Sequence, residues 1–376
     1  MREALRSPTL RLVLPPFLAA KAVSLLVPVL VVWQGSQSAG FPTGAEIRHA
    51  FEQWDAKSYL ELASHGYPGD AAGGTGYLYA FLPGYPLLVA TTGIVLRDAV
   101  VSGIVVSAVA ELVALYYIAQ LVIGERDVEA GRFSAWVVAL WPYAFFLSAI
   151  YTESVFVALA AAALYHGRRG ELVPASCAAA LSCAVRVTGL ALVPFLAVEY
   201  LRRHRAVPRP ELLAVAMVPL PLLLFALYSH VHGGDTLAFL HAQSSPSFNH
   251  SSAWPWNGAR ITYQQVVGTT APASHTYVFA LELIFGLAGL AACTLAFAYR
   301  SFPVSMATYC VVVWLLATSI SFWLSVPRYE LAMFPVVIIL ADALARRPAW
   351  RGALVAASAG LMAYGASRYA AGLWLG

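Results

Sequence analysis

Asp55 is the residue of this chain whose type and position most directly suggest chemistry. It lies in the polar segment 53–59, QWDAKSY, between two apolar stretches. A carboxylate can accept the proton of a hydroxyl group while that oxygen attacks an electrophilic carbon. A solvated acid on a membrane-surface helix, with Trp54 as an interfacial anchor, is the competing interpretation of the spacing alone.

Several other ionisable and aromatic side chains stand at the edges of later apolar stretches. Glu153 follows Tyr151 by two residues, and Arg186 ends a short apolar run. Arg328 immediately precedes Tyr329. Ionisable groups at membrane depth are costly, so they usually face the protein interior and mark a site. A structural ion pair between Glu153 and Arg186 is the alternative.

One carboxylate and one or two basic groups suffice for glycosyl transfer from a lipid phosphate. Asp55 would take the acceptor proton, and the departing phosphate is already a stable anion, so no general acid is needed. An arginine fork matches the oxygens of a phosphate. We therefore predict that Arg186, Arg328 and Lys57 hold the donor phosphate.

The sequence predicts neither a cofactor nor nucleic-acid binding. His230, His232 and Asp235 could be drawn as a metal site, but they stand at a helix end without a further ligand set. The need for a divalent cation is left open. No glycine-rich phosphate loop of nucleotide-binding type is present, which argues against a nucleotide sugar or ATP. The net charge is only +4, with dispersed basic residues, which argues against nucleic acid.

The composition indicates a polytopic membrane protein. Of the 376 residues, 60% are hydrophobic and 11% are charged, whereas a soluble domain has about 25% charged residues. The first apolar stretch, Leu10 to Trp33, is too long for a signal-peptide core. We expect an uncleaved first span in the cytoplasmic membrane, with Arg2, Arg6 and Arg11 on the cytoplasmic side.

The apolar stretches predict an all-α protein with about eleven spanning helices in a single domain, residues 1–376. One stretch, Phe81–Leu96, is ambiguous because it is short and contains two prolines. If it does not cross, 15 lysines and arginines fall in inside loops and 7 in outside segments; if it crosses, the bias reverses. Basic residues favour the cytoplasmic side, so we predict a juxtamembrane or re-entrant helix.

This topology predicts that the candidate chemistry lies on the extracytoplasmic face. The two long outer loops are about 34–98 and 233–272. Within the first, we predict one amphipathic helix over roughly Ala45–Ser64, with Asp55 upon it. Among charged residues near the spans, Lys21 is expected to extend its ammonium group to the bilayer surface, and binding of an anionic headgroup is the alternative. Glu111 is expected to pair inside the bundle.

Five motifs in order, between about residues 50 and 335, resemble the PIG-V-like mannosyltransferases. They are Trp54-Asp55 with Tyr59, His65-Gly66-Tyr67 and Phe81-x-Pro83-x-Tyr85-Pro86; the segment 148–154, SAIYTES; the segment 186–190, RVTGL; the segment 234–239, GDTLAF, with Gln243 and Trp254-Pro255-Trp256; and Pro327-Arg328-Tyr329 with Pro335. An ordered set of this kind is far more specific than any single motif.

The resemblance implies a GT-C membrane fold, here in a bacterial member. It implies an inverting enzyme that uses a polyprenyl- or dolichyl-phosphate mannose donor and forms an α-mannoside. The first-loop aspartate expected to be catalytic falls on Asp55. The remaining motif side chains are expected to line the substrate pocket: Trp54, Tyr59, His65, Tyr67, Tyr85, Tyr151, Glu153 and Tyr329.

Two departures from the family pattern concern the aromatic-proline motif. This chain has Leu82 and Gly84 where a second Phe and a Leu are usual, which could alter the acceptor cleft without touching the chemistry. Eukaryotic members act on GPI precursors, and a bacterial chain cannot be assumed to share that acceptor. The acceptor, whether lipid, glycan or protein, stays open.

Three other functions are compatible with the sequence. The same chemistry could use another polyprenyl-phosphate sugar, such as arabinose or glucose. A lipid-linked-sugar transporter would show ionisable residues through the full membrane depth and often an internal repeat, whereas here they cluster on one face. An accessory lipid-binding protein would bind the donor without turnover.

Overall fold

The computed structural model describes residues 7–35, 41–205, 207, 209–268 and 273–373. The structure is 78% helical, and an isolated bridge between Ser252 and Ile320 is the β-pairing within the described residues. The all-α prediction is confirmed. Arg2, Arg6 and the loop segments 36–40 and 269–272 lie outside the described residues.

Within its described residues, the first half of the chain forms nine α-helices and three 3-10 turns, separated by short breaks. The helices are α1 Pro8–Gly35, α2 Gly44–Phe51, α3 Asp55–His65, α4 Gly84–Leu96, α5 Ala99–Glu125, α6 Val128–Ala139, α7 Glu153–Arg169, α8 Leu172–Val185 and α9 Leu192–His204. Three 3-10 turns lie between them, at Gly76–Ala80, Ala144–Leu147 and Val187–Ala191.

The second half continues with helices of very different length. They are α10 Glu211–Ala216, α11 Leu220–Gly233, α12 Ala238–His241, α13 Pro255–Val267, α14 Ala273–Ala298, α15 Val304–Thr318, α16 Val326–Tyr329, α17 Val337–Ala343 and α18 Pro348–Ala370. Two 3-10 turns, Ala242–Ser244 and Glu330–Val336, complete this half.

Four helical segments of the described chain are long and apolar enough to cross a bilayer by themselves. These are Pro8–Gly35, Ala99–Glu125, Glu211–Gly233 and Thr276–Ala298. Three shorter apolar helices are Gly84–Leu96, Leu172–Val185 and Val304–Thr318. A multi-pass membrane protein is therefore supported, while the count of about eleven spans stays a prediction.

Helix α7 forms the centre of the bundle, between α5 and α8. Its alanines at 160, 161 and 163 are fully buried, and small side chains let neighbouring backbones approach closely. Gly103 on α5 has the same effect, because a Cβ there would lie 2.6 Å from a methyl carbon of Ile150. This close packing places the chain just before α7 firmly against α5.

The prediction of one helix over Ala45–Ser64 is wrong. Helix α2 ends at Phe51, and α3 begins at Asp55, after Trp54 with φ 54° and ψ −125°. The Tyr369 hydroxyl donates to the carbonyls of Phe51 and Gln53, at 3.3 and 3.2 Å. These contacts tie the break between α2 and α3 to the distant helix α18. The break makes Asp55 the first residue of a helix.

Helix α4 has 13 residues, about 20 Å at 1.5 Å per residue. This is short of the roughly 30 Å hydrocarbon core of a bilayer, and so is compatible with the predicted non-crossing arrangement of residues 81–96. Gly84 starts the helix, and a Cβ there would lie 2.7 Å from the carbonyl oxygen of Ala184. Glycine therefore lets α4 pack against the end of α8.

Candidate active site

Four charged side chains from distant parts of the chain form one ion-paired group, which we call the Asp55 cluster: Asp55, Glu153, Arg186 and Arg328. Arg328 Nη1 donates to Asp55 Oδ2 at 2.9 Å. The Nε atom of Arg328 lies 3.0 Å from Glu153 Oε1. Arg186 Nη1 donates to the same Oε1 at 2.5 Å. Positive and negative groups therefore alternate along the cluster.

Each member stands at the end of a helix. Asp55 and Glu153 are the first residues of α3 and α7, where the helix dipole favours negative charge. Arg186 directly follows α8, and Arg328 lies in the short α16. Helix ends bring charged side chains together at the boundary of the apolar bundle, without placing them within its middle.

The cluster is graded from buried to accessible. The exposed fraction of the side chain is 3% for Glu153, 12% for Arg186 and 11% for Arg328, but 26% for Asp55. Asp55 is therefore the most accessible member of the cluster, and Glu153 and the two arginines are more deeply buried.

One oxygen of Asp55 is held and the other is available. Oδ2 accepts the bond from Arg328, while no described residue donates to Oδ1. The backbone N–H of Asp55 donates to the Tyr151 hydroxyl at 3.2 Å, and that hydroxyl in turn donates to the Gln53 carbonyl at 3.4 Å. The carboxylate is thus oriented by its neighbours and keeps an acceptor atom for an incoming hydroxyl.

Aromatic rings surround the two guanidinium groups. The Arg186 guanidinium lies 4.5 Å from the Tyr329 ring centre. Arg328 lies 5.4 Å from the ring centres of both Tyr151 and Phe146. Such cation–π contacts hold buried cations where few acceptors are present. The predicted pocket residues Tyr151 and Tyr329 thus contact the cluster directly.

Tyr59 on α3 and Tyr85 on α4 are buried and pack against each other. Their ring centres lie 5.2 Å apart, edge to face. The Tyr59 hydroxyl donates a long bond of 3.4 Å to Thr152, which also accepts from Arg186 at 2.9 Å. Burial raises the pKa of Tyr59 above its ordinary value, so this hydroxyl stays a donor. Tyr85 shares a 2.9 Å hydrogen bond with Ser107.

Lys57 does not join the Asp55 cluster. It lies two residues beyond Asp55 on α3, which turns it about 200° around the helix. There it lines an open groove with Arg48 and Glu61. The sequence analysis grouped Lys57 with the arginines because Lys57 is close to Asp55 along the chain. On a helix, however, side chains two residues apart point to nearly opposite sides. The structure gives no support for Lys57 as a ligand of a phosphate held by the arginines.

Three other predicted pocket residues also lie apart from the charges. Trp54 is 46% exposed. The His65 side chain is 70% exposed and pairs with Glu61 at 3.3 Å. Tyr67 packs against Tyr79 and donates to the Phe81 carbonyl at 2.5 Å. These contacts order residues 61–81 rather than the cluster.

The positions of the two departures, Leu82 and Gly84, are both packing contacts. Leu82 is 3% exposed and belongs to a small apolar cluster with Tyr79 and Phe225. Gly84 contacts the carbonyl of Ala184, two residues before Arg186. These residues therefore affect how α4 and α11 pack beside the site.

Glu282 is a residue whose role the sequence did not reveal. It is fully buried on α14 and accepts hydrogen bonds from the backbone N–H groups of Ser325 and Val326, at 2.7 and 2.8 Å. Ser325 has φ 64°. Glu282 therefore holds the first turn of α16, which carries Arg328. Its sequence signal was a carboxylate inside an apolar stretch.

A buried polar group ties α1 to the chain before α7. The Lys21 ammonium forms an ion pair with Glu111 and donates to Ser148 Oγ at 2.6 Å. Its side chain is only 12% exposed, so the expectation that Lys21 reaches the bilayer surface is wrong. Pairing outweighs solvation here because Glu111, fully buried, offers the nearer countercharge.

The histidine-rich segment near residue 230 takes separate hydrogen-bond partners. His230 Nδ1 contacts Thr236 at 3.1 Å, His232 Nε2 contacts the Tyr67 carbonyl at 3.0 Å, and Asp235 contacts His241 at 2.7 Å. Within the described residues, no three His, Cys, Asp or Glu side chains are grouped as metal ligands are.

A narrow cleft opens between the two arginines. It is lined by Glu153, Arg186, Arg328, Tyr329 and apolar neighbours, and its volume is about 10 Å³, roughly the space of one water. A phosphate group is larger, so it can contact both guanidinium groups only if side chains move.

Comparison with protein families matches residues 45–229 to the family described as mannosyltransferase (PIG-V). This is just under half of the chain, and it contains Asp55, Glu153 and Arg186. A comparison with curated proteins gave no significant match.

Solved structures of an Archaeoglobus fulgidus oligosaccharyltransferase share the fold. Its apo form has a TM-score of 0.51 at 14% identity, covering 99% of this chain and 57% of that chain. AglB from the same organism, in complex with an inhibitory peptide and a dolichol-phosphate, has a TM-score of 0.52 at 13% identity, covering 99% and 56%. This chain thus spans just over half of their length. Residues 45–229 are thus similar to the mannosyltransferase (PIG-V) family, and the chain as a whole shares the GT-C membrane fold of these oligosaccharyltransferase structures.

Proposed function

We propose that this membrane glycosyltransferase moves mannose from a polyprenyl-phosphate mannose donor to an extracytoplasmic acceptor, with inversion, and that Asp55 is the general base. The observation that carries the proposal is the pairing of Asp55 with Arg328. In this pairing, the partly exposed Asp55 carboxylate contacts the buried guanidinium of Arg328. Glu153 in turn links Arg328 to the buried guanidinium of Arg186.

The reaction is a single displacement at the anomeric carbon. Asp55 Oδ1 takes the proton of the acceptor hydroxyl as that oxygen forms a bond to the anomeric carbon. The bond between this carbon and the phosphate oxygen breaks, and the phosphate leaves with the electron pair. Arg186 and Arg328 neutralise the charge that develops on the phosphate. One displacement inverts the configuration.

Two findings support a lipid phosphate as the donor. The family match concerns mannosyltransferases, and the similar AglB structure was solved with a dolichol-phosphate. In this chain the arginines lie among apolar and aromatic side chains, a setting suited to a phosphate on a hydrocarbon chain. We further propose that residues 1–376 act as one domain with a cytoplasmic N-terminus and the Asp55 cluster on the outer face.

The direct test is Asp55→Asn in the purified protein with radiolabelled polyprenyl-phosphate mannose and an envelope extract as acceptor. We expect transfer to fall by about 10³-fold, because an amide cannot take the proton. Asp70→Asn is the matched control. Asp70 Oδ1 only accepts a 2.9 Å bond from the backbone of Ala72, which an asparagine oxygen can also accept.

Transfer by Asp55→Asn near the wild-type rate would remove Asp55 from the mechanism. If the wild-type protein transfers glucose or arabinose but not mannose, the proposed displacement with Asp55 as base would stand, and the identity of the donor sugar would change. Donor binding without any turnover, in the presence of active extract, would point to an accessory protein.

A further inference from the structure

Glu153 occupies the position between the arginines that an anionic oxygen would take. A single atom, Oε1, lies 2.5 Å from Arg186 Nη1 and 3.0 Å from Arg328 Nε. The contact to Arg186 is a hydrogen bond. The contact to Arg328 is close but lacks hydrogen-bond alignment, since its Nε has no bonded partner within the described chain. One oxygen therefore contacts two guanidinium groups, but it forms a hydrogen bond only with Arg186.

The other oxygen of the same carboxylate has no partner. Glu153 Oε2 is buried and forms no hydrogen bond with any described residue. A buried carboxylate oxygen without a donor is costly and rare in folded proteins. Glu153 also lines the narrow cleft between the arginines. The carboxylate is thus held through Oε1 alone, beside the space that a phosphate must enter.

The charges of the cluster balance only without substrate. Two arginines face two carboxylates, Asp55 and Glu153, for a sum of zero. A sugar-phosphate-lipid donor is a phosphodiester with one negative charge. The lipid phosphate left after transfer is a monoester, and such groups carry about −1.5 to −2 at neutral pH. The Glu153 charge therefore opposes the product more strongly than the donor.

We propose that Glu153 is an internal substitute for the donor phosphate: it neutralises Arg186 and Arg328 in the free enzyme, and its charge promotes release of the lipid phosphate product. This inference rests on the proposed function, because it requires a lipid phosphate to bind these arginines. Donor entry displaces the carboxylate from at least one guanidinium. After transfer, repulsion between the carboxylate and the dianionic phosphate favours dissociation.

The test compares the binding of two anionic lipids to purified Glu153→Gln and wild-type protein at pH 8. Geranyl phosphate represents the dianionic product, and methyl geranyl phosphate represents the monoanionic donor. Geraniol and inorganic phosphate show whether the lipid or the phosphate alone suffices. Glutamine keeps the shape and one acceptor oxygen but removes the competing charge. We expect the monoester to bind about tenfold more tightly to the variant, and the diester to gain clearly less.

Glu171→Gln is the matched control, because Glu171 also pairs with an arginine, Arg169 at 3.0 Å, but lies at the opposite ends of α7 and α8. It should change neither affinity. If Glu153→Gln does not yield folded protein, Glu153→Asp shortens the side chain while keeping its charge. That variant should gain affinity for the monoester to a smaller degree, because the carboxylate of the shorter side chain can no longer reach both arginines.

The outcomes separate this inference from the proposed function. Equal gains for monoester and diester, or weaker monoester binding to the variant, would overturn the role of Glu153 while leaving lipid-phosphate chemistry intact. Wild-type protein that binds neither lipid phosphate, though folded, would overturn both. A larger gain for the monoester, together with stronger product inhibition of transfer, would establish the proposal.

Discussion

The Asp55 cluster and a second ion-paired group, the Arg168 cluster (Glu125, Arg168 and Glu199), show two different uses of buried charge. In the Arg168 cluster, the guanidinium forms bonds to both oxygens of Glu125, at 2.7 and 3.2 Å, and to Glu199 at 2.8 Å. Ser305 donates a further bond to Glu199 at 2.5 Å. Every charged group there has well-aligned partners.

The Asp55 cluster has two arginines and two carboxylates, but its polar atoms are incompletely paired. Glu153 Oε2 has no partner, Asp55 Oδ1 is open, and the residue before Asp55 has a strained backbone. Saturated buried networks stabilise a structure, whereas strain and unpaired groups concentrate at functional sites. The comparison therefore predicts that substitutions in one cluster reduce turnover and those in the other reduce stability.

The largest expected effect is on transfer by Arg328→Gln. This change removes the partner of Asp55 and one of the two phosphate-binding cations, so we expect transfer to fall by about 10²–10³-fold. Arg168→Gln should leave transfer per folded molecule within about twofold of wild type. Both rates are measured with radiolabelled donor on size-selected protein. Equal losses from the two variants would contradict the distinction between the clusters.

Stability should respond in the opposite way. Arg168→Gln leaves Glu125 without its cation and leaves Glu199 only the 3.9 Å contacts of Arg202 and Arg203. We expect this change to cost roughly 3 kcal/mol and to lower the melting temperature in detergent. The control is Arg169→Gln on the adjacent residue. Its pair with Glu171 is exposed, so the change should lower the melting temperature much less. Similar melting temperatures for the two variants would show that the Arg168 cluster is not a structural element.

Glu282→Gln should have an intermediate effect on transfer. The amide cannot accept both N–H groups at the start of α16, so Arg328 shifts relative to Asp55. We expect kcat to fall about tenfold, since small misplacements of positioned groups are costly. KM should change less. Loss of stability without any loss of kcat in the folded fraction would reduce Glu282 to a structural residue.

The smallest effect concerns the strained residue before Asp55. Trp54 has φ 54°, a conformation that glycine adopts at no steric cost. Trp54→Gly should therefore be more stable than Trp54→Ala by about 1 kcal/mol. The difference is measured by the melting temperatures of the two variants, which lose the same ring contacts. A more stable alanine variant would show that the backbone is not strained in solution.

The candidate site was predictable in part. The residue types near the apolar boundaries predicted that Asp55, Glu153, Arg186 and Arg328 share one face, and the structure brings these four together. Their roles stay predictions. Lys57 was grouped with them only because it is close in sequence. Glu282 was not assigned, because hydrogen bonds to the backbone of a distant segment leave no pattern in the side chains.

The sequence by itself determined that the chain is an all-helical membrane protein. The length of the apolar stretches and the scarcity of charged residues can both be obtained directly from the sequence. It also predicted which side chains could perform proton transfer and anion binding, and these roles stay predictions. Only the tertiary structure decided where the helix around Asp55 breaks, which atoms of each carboxylate are satisfied and which charge faces which. These depend on contacts such as that of Tyr369 with the chain at Phe51, more than 300 residues apart, and no local pattern encodes a partner so distant.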